Sequence, residues 1–157
     1  MRALWLVVGA VAAVCVQAAC GGWLEVHGAR PDVVLAVVMS VGLLAGRRVG
    51  LLAGVAAGCG VAALSPQQPW LWVALYGAAG AAAGWWGGQV YHERWWWPWL
   101  CVFVGGLVLG SVACLLGAPE DRSVLTWREL IGWVAPSSLY SSLIAPVVFL
   151  LLKRLRA

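Results

Sequence analysis

The sequence predicts an all-α integral membrane protein, a bundle of six transmembrane helices that forms one domain over residues 1–157. Apolar residues make up 63% of the chain, and only 10% of its residues are charged. Soluble domains usually carry about 25% charged residues, so this chain has too little polar surface to cover a soluble fold. The mean hydropathy of +0.90 agrees with a membrane location. These values exclude a disordered chain and argue against an ordinary soluble enzyme.

Six apolar stretches, separated by charged or turn-forming residues, predict the helices. A transmembrane helix needs about 20 apolar residues, within a range of roughly 17 to 25. We expect helices over residues 3–24, 31–46, 49–64, 70–90, 96–117 and 127–152. The last helix begins at the sequence Thr126-Trp127-Arg128-Glu129, which matches a capping box.

Two interpretations fit the N-terminal apolar stretch. It is either a retained transmembrane helix or a signal peptide, with Cys20 as the residue at a lipoprotein-type cleavage site. Gln17 stands where such a site has an aliphatic residue, and the apolar run continues to Leu24. We therefore interpret the segment as a retained helix.

The second and third stretches are short, and they predict either a re-entrant hairpin or two short crossings. Arg47 and Arg48 separate the two stretches. At the tip of a re-entrant hairpin, each arginine would cost about 2.5 to 3.5 kcal/mol in the hydrocarbon. In a tight turn between two crossings both arginines lie in water. The pair therefore favours two crossings, and six in total.

The basic residues predict the orientation of the helices. Seven of the ten basic residues fall in cytoplasmic segments if the N-terminus is inside, as the positive-inside rule requires. Five of the six acidic residues fall in the outer segments of the same arrangement. Both termini are therefore expected in the cytoplasm.

Glycines at a spacing of four form the clearest pattern in the third stretch. Gly50, Gly54 and Gly58 share one helix face, where the missing side chains allow another helix backbone to come close. Either they contact other helices of the same bundle, or they form a groove that binds a helix of another protein.

Prolines and serines distinguish the last predicted helix. Pro136 and Pro146 each remove a backbone donor, and each frees the carbonyl four residues earlier. The serines around Tyr140 form a polar stripe, and they are Ser137, Ser138, Ser141 and Ser142. Such a helix either locks the bundle or contacts another molecule.

The sequence predicts no catalytic, metal or cofactor site. Asp32 and Glu93 lie at predicted helix ends, and His27 and His92 fall on opposite sides of the membrane. No carboxylate is therefore expected in mid-membrane, where proton and cation relays place theirs. The net charge of +4 is scattered along the chain, which argues against binding to nucleic acid.

The order of these features resembles the rod shape-determining protein MreD family. The similar segments are Pro31-Asp32, Arg47-Arg48-Val49-Gly50 with Gly54 and Gly58, and Pro136-Ser137-Ser138-Leu139-Tyr140-Ser141 with Pro146 and a basic tail. The resemblance covers nearly the whole chain. In two places this sequence departs from the family. The family often has an acidic residue late in the third helix, where this sequence has Ala62 or its neighbours. It also often has Asn where this sequence has Ser141.

The resemblance implies a non-enzymatic subunit of the bacterial cell-elongation complex, located in the inner membrane. Its expected partner is MreC, a single-pass protein whose transmembrane helix would dock on the bundle. Through MreC the chain would associate indirectly with RodA, its partner transpeptidase and MreB. The residues expected to bind the partner are Gly50, Gly54, Gly58, Pro136, Ser137, Tyr140 and Ser141.

MreD-like proteins also resemble the substrate-binding subunits of energy-coupling-factor (ECF) vitamin transporters, which are six-helix bundles of similar size. The resemblance therefore implies an alternative function, the binding of a small vitamin. The residues that would line the pocket are Trp70, Trp72, Trp127 and Tyr140. Few charged or amide groups are available to orient a polar ligand. A proton-coupled exporter is a third possibility, disfavoured because no acid is expected in mid-membrane.

Overall fold

The computed structural model describes residues 2–20, 32–64, 68–88, 96–117, 132 and 134–156, and nearly all of them are helical. The six helices within these ranges are α1 (Arg2–Cys20), α2 (Val33–Ala45), α3 (Arg47–Leu64), α4 (Pro69–Gly87), α5 (Trp97–Gly117) and α6 (Ala135–Arg156). The predicted all-α class is thereby confirmed. Three of the helices, α3, α5 and α6, are long and apolar enough to cross a membrane.

Three pairs of consecutive helices pack in opposite directions. Gly58, near the end of α3, packs against Val73, near the start of α4, and Gly84, near the end of α4, packs against Arg47 at the start of α3. The other antiparallel pairs are α1 with α2, which meet at Gln17 and Val34, and α5 with α6, which meet at Gly110 and Val134.

Helix α2 lies at the centre of the bundle. Every residue from Val34 to Leu44 is buried, and α2 contacts each of the other five described helices. A helix that is apolar on all sides is typical of such a position. Its 13 residues span only about 20 Å at 1.5 Å per residue.

The connection between α2 and α3 is a single residue, Gly46. Its φ of +87° lies in the left-handed region, which glycine adopts readily, and its N–H donates to the Gly42 carbonyl at 2.9 Å. The prediction that Arg47 and Arg48 form the turn is therefore wrong in detail, since both belong to the first turn of α3. Their side chains are exposed.

Helix α6 differs from its predicted bounds of 127–152. The α-helix begins at Ala135 and continues to Arg156, because the basic residues at its end are good helix formers. Pro136 is its second residue, a position where a proline costs little because the N–H would have no helical partner. Only Pro146 lies in the helix interior. The predicted start at residue 127 and its capping box lie outside the described residues.

Candidate functional site

Four polar side chains meet at the N-terminus of α2, and we name them the Asp32 cluster (Asp32, Tyr76, Ser141 and Gln17). Asp32 is the N-cap of α2, where its Oδ1 accepts a hydrogen bond from the Leu35 N–H at 2.9 Å. This bond satisfies one of the donors that a helix N-terminus leaves unpaired. The carboxylate also faces the positive end of the α2 dipole.

The second carboxylate oxygen of Asp32 is bonded to helix α4. Oδ2 accepts a hydrogen bond from the Tyr76 hydroxyl at 2.5 Å. Tyr76 is only 2% exposed, and its ring lies 6.3 Å from that of Trp72. A buried carboxylate is stable only when its oxygens are hydrogen-bonded, and here both are.

Ser141 and Gln17 bring two more helices to the same place. The Ser141 Oγ accepts from the Asp32 N–H at 2.7 Å and donates to the Ser137 carbonyl at 2.8 Å. The Gln17 Oε1 accepts from the Val34 N–H at 2.9 Å. Side chains of α1, α4 and α6 therefore bond to the first turn of α2. The arrangement cross-links four helices and fixes their register.

The sequence prediction missed this cluster. It placed Asp32 at a helix end, which is correct, but assigned it no contact because the partners Tyr76 and Ser141 are 44 and 109 positions away. One signal was available. A carboxylate directly before a continuous apolar helix needs hydrogen-bond donors if it is buried, and the Tyr76 hydroxyl in α4 is such a donor.

The glycines of α3 lie against α4 of the same chain. Gly50 packs on the backbone of Gly80, and Gly54 packs on that of Tyr76. A Cβ at Gly50, Gly54 or Gly58 would lie less than 3.0 Å from backbone atoms of α4. Of the two interpretations of the pattern, contacts within the bundle therefore describe these glycines. Their role in binding a partner stays a prediction. Because these glycines pack on α4, such a role would depend on how they position α4.

Helix α6 has a buried face that includes three serines and an exposed face that is apolar. The buried face packs on α2 and α5, and it comprises Ser138, Ser141, Ser142, Ala145, Phe149 and Leu152. The exposed face carries the α6 stripe (Leu139, Leu143, Val147 and Leu150), whose members are 46% to 65% exposed. Their spacings of four, four and three residues place them on one side of the helix.

The four predicted partner-binding residues of α6 differ in their surroundings. Ser141 is buried and belongs to the Asp32 cluster, and the Ser137 Oγ donates to the Val134 carbonyl at 3.1 Å. Pro136 and Tyr140 are half-buried. Pro136 and Tyr140 therefore keep part of their surface available to another molecule.

Two of the aromatic residues of the vitamin-binding alternative lie near the start of α4. Trp70 is 64% exposed near the start of α4, and Trp72 is half-buried two residues later. Trp127 lies outside the described residues. Within the described ranges, no three histidine, cysteine or acidic side chains are grouped as a metal site would need.

Comparisons with protein-family models, with curated proteins and with solved structures find no match for this chain. The function must therefore be inferred from the geometry above together with the resemblance in the sequence.

Proposed function

We propose that all six helices cross the bacterial inner membrane and that both termini lie in the cytoplasm. The antiparallel packing of α1 with α2, α3 with α4 and α5 with α6 supports this arrangement, since a chain that crosses repeatedly must reverse after each helix. The position of Arg47 and Arg48 also supports it. Positive side chains at a helix N-terminus are disfavoured by the helix dipole, but they are expected on the cytoplasmic side of a membrane protein.

Within that membrane, we propose that the chain is a non-enzymatic subunit of the cell-elongation complex, similar to MreD. It binds the transmembrane helix of MreC, and MreC links it to RodA, its transpeptidase and MreB. The observation that carries this proposal is the division of α6 into two faces. One face is bonded into the bundle through Ser141, which leaves the opposite face free to bind another helix.

The partner helix packs on the first half of the α6 stripe, formed by Leu139 and Leu143. These side chains are 46% and 65% exposed, and Tyr140 lies beside them on the same helix. Apolar side chains give van der Waals contact, and a hydroxyl gives an interhelical hydrogen bond, the two terms that drive helix association in lipid. Because α6 is held by the Asp32 cluster, this surface is preorganised.

The glycines of α3 support the same function indirectly. Close contact between α3 and α4 holds Tyr76 in α4 where its hydroxyl meets Asp32. The Asp32 backbone in turn bonds to Ser141 in α6. The glycine face therefore contributes to the shape of the docking surface without touching the partner.

Site-specific photocrosslinking in cells tests the proposal. A photoreactive amino acid at Leu143 is expected to crosslink to the cognate MreC. Leu52 on α3 is the matched control, because it is 60% exposed while Leu143 is 65% exposed. Crosslinking at position 143 and not at position 52 supports the proposal. Crosslinking to MreC from position 52 alone, or from neither position in a folded protein, contradicts it.

A further inference from the structure

The end of α6 carries a surface that the docking of a partner helix does not use. We name it the α6 groove, an open cavity of about 670 Å³ lined by Val147, Leu150, Leu151, Lys153 and Arg154. The three apolar side chains are each about 60% exposed. Both basic side chains are exposed as well. The groove is therefore apolar along its length and positively charged at one end.

We propose that the α6 groove binds an anionic phospholipid, with an acyl chain along Val147, Leu150 and Leu151 and the phosphate at Lys153 and Arg154. An arginine guanidinium donates two parallel hydrogen bonds to a phosphate, and a lysine adds a compact charge. Basic pockets beside transmembrane helices on the cytoplasmic side bind anionic headgroups in this way. The site rests on the membrane location proposed above and is independent of MreC.

Charge complementarity distinguishes this occupant from a second helix. Asp32 is the one acidic side chain within the described ranges, and it lies at the N-terminus of α2 beside Ser141. Lys153 follows Ser141 by twelve residues, which is about 18 Å along a helix at 1.5 Å per residue. Within the described ranges no acidic side chain lies near Lys153 and Arg154, and an anionic headgroup of the cytoplasmic leaflet complements their charge at that depth.

Pro146 separates the groove from the surface proposed for the partner helix. Leu139 and Leu143 precede it, and Val147 to Arg154 follow it. A proline in a helix interior removes a backbone hydrogen bond and bends the helix. Two helices that cross at an angle touch over a limited length. A partner can therefore occupy the first half of the α6 stripe while a lipid occupies the groove.

Photoreactive lipids test the site in the full-length protein. The chain is reconstituted in phosphatidylcholine vesicles at low ionic strength, with a trace of phosphatidylglycerol or phosphatidylcholine that carries the same diazirine on its acyl chain. Mass spectrometry then locates the label. We expect the phosphatidylglycerol probe to label residues 147–151 several-fold more than the phosphatidylcholine probe.

Two double variants each remove two positive charges. They distinguish lipid binding in the α6 groove from a general attraction of anionic lipids to exposed basic residues. Lys153→Gln/Arg154→Gln is expected to lower the preference for phosphatidylglycerol by roughly fivefold per basic side chain removed. Arg47→Gln/Arg48→Gln removes another exposed basic pair and is expected to preserve the preference. Equal labelling by both probes, equal losses in both variants, or complete displacement of the lipid by bound MreC overturns the proposal.

Discussion

The Tyr76 hydroxyl donates a 2.5 Å hydrogen bond to the Asp32 carboxylate and so joins helix α4 to the N-terminus of helix α2. Helix α2 is surrounded by the other described helices, so a fixed position for α2 constrains all of them. Asp32 receives further bonds from α2 itself and reaches α6 through its backbone N–H. We infer that this pair sets the register of the bundle.

The first prediction concerns the Tyr76 hydroxyl. Tyr76→Phe is expected to lower the free energy of unfolding by about 1 to 2 kcal/mol. A hydrogen bond to a charged group is worth more than the average of roughly 0.6 kcal/mol between membrane helices. Unfolding in detergent micelles measures the change. Tyr140→Phe, at a half-buried tyrosine of α6, is the control, with an expected change below about 0.5 kcal/mol. Equal losses in both variants would contradict a special role for Tyr76.

The second prediction concerns the coupling between Asp32 and Tyr76. Asp32→Ala removes both the N-cap of α2 and the acceptor for the Tyr76 hydroxyl, so its effect includes that of Tyr76→Phe. The double variant is therefore expected to lose about 1 kcal/mol less stability than the sum of the two single variants. The same unfolding assay measures all three. Strict additivity would show that the two side chains act separately.

The third prediction concerns the contact between α3 and α4. Gly54→Ala is expected to lower the free energy of unfolding by about 3 kcal/mol or to prevent folding, because the new Cβ overlaps the backbone of Tyr76 and overpacking is costly. Gly9→Ala is the control, since a Cβ there meets nothing within 4 Å. That change is expected to be neutral or stabilising by up to about 1 kcal/mol.

The yield of folded protein and its unfolding temperature measure both glycine variants. If Gly54→Ala were as stable as Gly9→Ala, the α3 glycines would not lie in a tight contact within the chain. A loss of MreC binding with unchanged stability would instead show that this face binds the partner directly.

The fourth prediction compares two buried serines. Ser40 in α2 is fully buried, and its Oγ lacks a hydrogen-bond partner among the residues that the structure describes. Ser141 is equally buried, but its Oγ is bonded to Asp32. Ser40→Ala is expected to raise the free energy of unfolding by about 1 kcal/mol, because an unpaired buried hydroxyl is destabilising. Ser141→Ala is expected to lower it by about 1 kcal/mol.

Thermal unfolding of the two serine variants under identical detergent conditions gives the comparison. The unfolding temperature is expected to rise in Ser40→Ala and to fall in Ser141→Ala. A loss of stability in Ser40→Ala as large as that in Ser141→Ala would mean that Ser40 has a polar contact in the folded protein.

The sequence predicted what depends on local composition. The all-α class follows from the apolar stretches, and a tight connection between the second and third helices follows from the cost of placing arginines in hydrocarbon, although the turn residue is Gly46 and not Arg47 or Arg48. The glycine spacing in α3 predicts a close helix contact, but spacing alone does not identify the helix that fills it. The structure supplies that partner, the α4 backbone at Gly80 and Tyr76.

The sequence did not predict features that depend on distant contacts. The burial of α2 on every side requires knowledge of its neighbours, and a uniformly apolar helix fits a lipid-facing span as well as a central one. The role of Asp32 likewise depends on Tyr76 and Ser141, which approach it only after the helices have packed. A carboxylate at a helix end resembles an ordinary N-cap until those partners are known.

Co-purification with the cognate MreC tests the central claim most directly. The tagged full-length chain and untagged MreC are co-expressed, extracted in a mild detergent, and separated by affinity and size-exclusion chromatography. If the exposed face of α6 binds the MreC transmembrane helix as proposed, MreC is expected to elute with the tagged chain at a fixed ratio. Absence of MreC from a monodisperse, helical preparation of the chain would contradict the claim.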